Sequence, residues 1–101
     1  MQTTPLKLVT IVAESVLEER LKRELVQLGS TGYTVTESHG RGSRGLRTGD
    51  IPGESVRIEA VVSAAVADDV ITHLSQRYFT DYAVIAWVTD VDVVRGEKYI
   101  R

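Results

Sequence analysis

Residues 32–47 read GYTVTESHGRGSRGLR. The first half alternates as a short strand does, with Tyr33, Val35 and Glu37 on one face and Thr34 and Thr36 on the other. The second half breaks that alternation with glycines at 40, 42 and 45 and arginines at 41, 44 and 47. Glycine admits positive φ and lets backbone N–H groups turn into a concavity that accepts an anion. Guanidinium groups add forked donors for phosphate or carboxylate oxygens. The rest of the chain reads as a scaffold that holds this loop at the end of a strand.

Upstream, Lys7–Ala13 (KLVTIVA) is almost wholly apolar and β-branched, which suits a central strand. Ser15 followed by Glu18 has the capping-box spacing, and Leu17, Leu21, Leu25 and Leu28 mark the buried face of a first helix. Gly29 is placed to end that helix in the left-handed conformation. Downstream, Asp50, Pro52 and Gly53 carry turn chemistry at the far end of the loop. Its roughly 15 residues far exceed the 2 to 5 of a hairpin connection. Ser55–Val62 alternates Val56, Ile58, Ala60 and Val62 against Arg57 and Glu59, a strand with one buried face.

Ser63 can cap a second helix, whose apolar stripe is Val66, Val70 and Leu74 with Ile71 and Tyr78 beside it. Ala83–Val94 is the last strand, and its apolar first half predicts burial on both faces, with a second subunit as one candidate cover. The order is β-α-β-β-α-β. That is the split βαβ arrangement of the ferredoxin-like α+β class, a four-stranded antiparallel sheet with two helices on one face. One domain spanning 1–101 is expected, with 39–53 as the long loop between strands two and three.

Composition narrows the function. Twelve basic against fourteen acidic residues give a formal net charge of −2, which is no signature of bulk nucleic-acid binding. Positive charge gathers in the loop, so a small anion is easier to accept than a long polyanion. The cysteine count is 0, which removes disulfides, thiolate metal sites and thiol redox chemistry. No signal peptide or long apolar run is read, and the expectation is a cytoplasmic protein.

The sequence offers no chemical machinery. No Gly-Lys-Ser/Thr phosphate-loop motif is present. The two histidines, His39 and His73, have no cysteine partners, so a zinc site is not expected; His73 reads as a helix-surface or subunit-contact residue. Asp81, Asp90 and Asp92 read as solvated carboxylates, and Trp87 and Tyr82 as packing residues. No nucleophile with a base can be picked out, so catalytic residues and metal ligands are both expected to be none.

GYTVTESHGRG followed by VRIEAVVS resembles the nitrogen-signalling PII proteins at two separated places. GYTV with GRGSRGLR, and YFTDYAVIAW late in the chain, are similar to the carbon-sensing, SbtB-type branch of that family. The likeness runs from Lys7 to Tyr99. It implies a homotrimer with an adenine nucleotide (AMP, ADP, ATP or cyclic AMP) in each cleft between subunits and no tightly bound cofactor. Residues 39–53 would be the T-loop, which changes order with the ligand and docks on a target.

By the same resemblance Thr34 lies beside the adenine, and Gly40, Gly42 and Ser43 line the phosphate region. Arg44 and Arg47 are the phosphate-binding arginines, Glu59 and Val61 form the strand-three edge of the cleft, and Tyr82 and Ala83 are the neighbouring subunit's contribution near the base. The implied target is a bicarbonate transporter or carbon-fixation assembly, which would bring the protein to the inner membrane peripherally. Two departures limit the carry-over. The loop has no tyrosine to be uridylylated, and Arg44 replaces the glutamine that helps bind 2-oxoglutarate. The competing readings are a small RNA-binding module of the same fold and a trimeric metal-tolerance protein of the CutA type. An absent aromatic pair argues against the first, and the shortage of metal ligands argues against the second.

Overall fold

A computed structural model describes residues 2–39 and 54–100, with the side chain of His39 excepted. The expected phosphate contacts Gly40, Gly42, Ser43, Arg44 and Arg47 lie outside the described residues. Strand β1 spans Thr4–Glu14, helix α1 Glu18–Leu28, β2 Thr34–His39, β3 Glu54–Val62, α2 Ala64–Arg77 and β4 Val84–Val93. Short 3-10 turns occupy Ser15–Leu17 and Gly96–Tyr99. The expected βαββαβ order is therefore present. The sheet has the order β2-β3-β1-β4, and every neighbouring pair is antiparallel.

Register decides which side chains the helices cover. Val9, Ile11 and Ala13 pair with Ala60, Ile58 and Val56, and all six are buried. Leu21 and Leu25 of α1 and Ala67, Val70 and Leu74 of α2 close over them. Burying a valine, leucine or isoleucine side chain contributes about 1.5 to 3 kcal/mol, and this layer buries several of them. The alternate residues of the same strands turn to the opposite, helix-free face of the sheet.

Two local expectations are corrected. Ser15 does not cap α1: residues 15–17 form a 3-10 turn, α1 starts at Glu18, and neither end of that turn carries a side-chain cap bond. Ser15 sits inside the turn, its carbonyl accepting from the Glu18 N–H, so its hydroxyl does not stand ahead of the helix. Glu18 and Glu19 instead flank Lys22 at 3.3 and 2.8 Å. Ser63 does cap α2, its Oγ accepting from the Val66 N–H at 3.2 Å.

Within one chain, β4 is covered on one face only. Val84 is buried, but Ile85, Trp87 and Val88 are 46%, 40% and 41% exposed. Ile85 and Trp87 lie on the face that the helices leave open, whereas Val88 pairs with the core residue Val9 on the helix side and is exposed at the edge strand. The second correction is His73, which joins the two helices to each other. Its Nε2–H donates to Glu24 Oε1 of α1 at 2.8 Å.

That Glu24 oxygen also accepts from the hydroxyl of the fully buried Tyr78 at 2.6 Å. Burial and the Glu24 bond push the Tyr78 phenol up to about 12. Burial would raise Glu24 as well, but the donors from Tyr78 and His73, with Arg20 nearby, outweigh it and hold the carboxyl below its ordinary value. Arg20 lies 5.0 Å from the centre of the Tyr78 ring and 5.9 Å from that of Tyr82. The segment leading into β4 is thus fixed from below by a polar cluster on the helix pair.

Candidate functional site

Val56, Ile58, Ala60 and Val62 point into the core, so Arg57, Glu59 and Val61 are committed to the open face of the sheet. Glu59 is paired in register with Thr34 of β2, and Val61 with Leu8 of β1. These four residues line one cleft of about 430 Å³ at the β2–β3 side of the sheet. Gly32 and Tyr33, which lead into β2, line it as well, and so does Tyr99 of the C-terminal turn. The expected site residues Thr34, Glu59 and Val61 are therefore brought together.

Around the cleft the open face carries a mixed chemistry. Arg57 stands between its two neighbours, with Nε 3.8 Å from Glu59 Oε2 and its guanidinium 5.4 Å from the centre of the Trp87 ring. Since Arg57 is on β3 and Trp87 on β4, that contact spans the intervening β1. Thr10 of β1 lies in the same cross-strand row as Thr34, Glu59 and Trp87. Its hydroxyl is buried and has no hydrogen-bond partner among the described residues. Lys22 Nζ stands 5.9 Å from the Tyr33 ring centre. The cleft thus combines apolar walls, half-exposed aromatic rings and a threonine–carboxylate pair, the makings of a site for a small planar ligand with polar edges.

Tyr82 and Ala83 are not in this cleft. They precede β4, at the opposite edge of the sheet from β2. The Ala83 N–H donates to Glu14 Oε2 at 2.9 Å, and the Tyr82 ring packs at 5.7 Å from that of Tyr78. One copy of the chain cannot gather all the expected contacts around one ligand. The described residues contain no group of three or more His, Asp and Glu side chains placed to hold a metal ion.

Leu8, Gly32, Tyr33, Arg57 and Tyr99 were not singled out from sequence as contacts. The register could have found Leu8 and Arg57, because a one-faced β3 commits Arg57 to the same side as Glu59 once β1 is placed beside it. Nothing in the sequence pattern foretells that the C-terminal turn returns to the cleft.

Residues 6–98 match the family model for Nitrogen regulatory protein P-II. A PII-like signaling protein from Thermus thermophilus is 55% identical, with 98% of this chain and 99% of that one covered and a TM-score of 0.84. CPII from Thiomonas intermedia, solved with ADP and bicarbonate, is 26% identical over 97% of each chain at a TM-score of 0.81. The same protein bound to ADP, AMP and bicarbonate is 25% identical, covering 93% of this chain and 98% of that one, with a TM-score of 0.79. With the family model matched over 6–98 and so similar a PII-like relative, the chain belongs to the P-II family of signalling proteins.

Proposed function

We propose that this chain is an adenine-nucleotide sensor that works as a homotrimer and regulates a partner protein through residues 39–53. Thr34, Glu59 and Val61 of one copy hold the base side of the ligand, and Tyr82 and Ala83 of a neighbouring copy complete it. Gly40, Gly42, Ser43, Arg44 and Arg47 take the phosphates. The single observation that carries the reading is the convergence of Thr34, Glu59 and Val61, nominated by sequence motif, on one cleft of about 430 Å³.

Two further facts support it. Thiomonas CPII, of the same family, binds ADP together with bicarbonate. The open sheet face presents Ile85 and Trp87 to solvent in a chain of only 11.1 kDa, and burial of that face between copies would add apolar area that so small a domain needs. The output is a change in the loop: phosphate–arginine contacts order a surface that a target can read, without a chemical step. The partner is an inorganic-carbon protein, a bicarbonate transporter or carbon-fixation assembly, reached from the cytoplasm or at the inner face of the membrane.

Calorimetric titration of the purified chain with AMP, ADP, ATP and cyclic AMP, with and without bicarbonate, tests the reading. Saturable binding of one ligand per chain supports it. No binding of any of the four removes it, and the RNA-binding alternative is then next to be tried.

A further inference from the structure

We infer that Glu14 is a positioning residue: its carboxylate holds Tyr82 and Ala83 where one copy of the chain serves the cleft of its neighbour. The inference rests on the nucleotide reading above and deepens it. In the register of β1 with β4 the last pair is Ala13 with Val84. One step further the strands part, and the Ala83 N–H donates to Glu14 Oε2 at 2.9 Å rather than to a backbone carbonyl. A carboxylate is the stronger acceptor, and a long side chain reaches where the departing backbone does not.

The turn ahead of Ala83 closes on itself. The Asp81 and Tyr82 N–H groups both donate to Tyr78 O, at 3.2 and 2.9 Å, and the Tyr82 ring lies against that of the buried Tyr78. These bonds fix the shape of the turn, but not where its last residue stands against the sheet. Glu14 supplies that tie, because its own backbone is set in the sheet and paired with Ser55 of β3 on the other side. Ala83 is outside the buried core, so the bond adds placement more than packing. Tyr82 and Ala83 lie at the edge of the sheet opposite β2, so any cleft at a β2–β3 edge that they serve belongs to a second copy.

Calorimetric titration with ADP and adenosine separates this inference from the reading it rests on. Apparent affinity falls with the fraction of chains whose segment is in place, so Glu14→Ala should weaken both ligands equally, about three- to thirtyfold. Glu14→Gln keeps an acceptor oxygen at the same reach and should stay within about threefold of the wild type. Glu14→Asp keeps the charge but falls short of the amide, and should behave like Glu14→Ala. A role for the charge alone gives the opposite order. In a second arm, Glu14→Ala and Val61→Arg chains with different tags are co-expressed, and trimers carrying both tags are isolated. Each mixed ring joins one intact cleft to one intact segment, so about one site per trimer should bind ADP as the wild type does, although neither homotrimer does. If Glu14→Ala binds like the wild type, if Asp replaces Glu14 and Gln does not, or if mixed trimers recover no site, Glu14 positions nothing for a neighbour and the sensor reading stands. If the wild type binds neither ligand, both fall.

Discussion

Tyr78 at the end of α2 donates its hydroxyl to Glu24 of α1 at 2.6 Å, and the same carboxylate oxygen takes the His73 Nε2–H at 2.8 Å. One acceptor therefore ties together both helices and the turn that leads into β4. Removing it leaves a buried phenol without its partner, which costs about 1 to 3 kcal/mol. Glu24→Ala is expected to lower the stability measured by urea unfolding by roughly that amount. Glu24→Gln, which keeps an acceptor oxygen, should recover part of it. A loss below about 0.5 kcal/mol, the size of an ordinary surface substitution, would mean the cluster is incidental.

The same pair gives the stability curve two limbs with pH. Glu24 is held below its ordinary 4.5, so the unfolded chain binds the proton first as pH falls. Its contribution is complete above 4.5 and is lost as pH drops through the lower folded value. Tyr78 runs the other way: raised from 10.0 to about 12, it contributes fully below 10.0 and loses that contribution as pH rises through about 12. Urea midpoints against pH at fixed protein concentration should show both limbs. Glu24→Gln should flatten the acid limb and Tyr78→Phe the alkaline one.

Gly29 ends α1 with φ 118, its N–H donating to Val26 O at 3.1 Å while the Ser30 N–H reaches Leu25 O at 3.0 Å. A Cβ there would stand 3.1 Å from Val66 Cγ2 of α2, so Gly29→Ala meets both backbone strain and a side chain. The expected loss is about 1 to 2 kcal/mol in urea unfolding. Gly32, where an added Cβ meets nothing within 4 Å, is the matched control and should change little.

Assembly is tested on β4. If the open face is buried between copies, light scattering should give three times the 11.1 kDa chain mass. Ile85→Glu with Trp87→Glu would place charges in that face and should release monomers that also bind nucleotide poorly. A wild-type chain that is monomeric at micromolar concentration contradicts the trimer.

Much of the fold was legible because its signals are local. The alternation of Val56, Ile58, Ala60 and Val62 set the face of β3, Gly29 set the end of α1, and Ser63 set the start of α2. What escaped depends on partners far along the chain. Ser15 has the spacing of a cap yet is drawn into a 3-10 turn as β1 ends, and its neighbour Glu14 spends its carboxylate on the Ala83 N–H. His73 looked like a surface residue because Glu24, 49 positions away, is its partner only once the helices lie side by side. For the site, motif resemblance reached Thr34, Glu59 and Val61. Tyr99 was invisible because a reversal at Arg95 and Gly96, and not any periodicity, brings it back to the cleft.

The central claim is that phosphate is read by the loop, and two arginines test it most directly. Calorimetric titration of the wild type, Arg44→Ala and Arg47→Ala with AMP, ADP and adenosine is the measurement. A charge-assisted bond is worth about 1.5 to 3 kcal/mol, so each substitution should weaken AMP and ADP binding roughly ten- to a hundredfold. Arg47→Lys should recover only part, because an ammonium keeps the charge and loses the planar fork. Adenosine, with no phosphate, should bind the wild type weakly and be nearly indifferent to either change. AMP and ADP binding to both alanine variants as tightly as to the wild type would contradict the account.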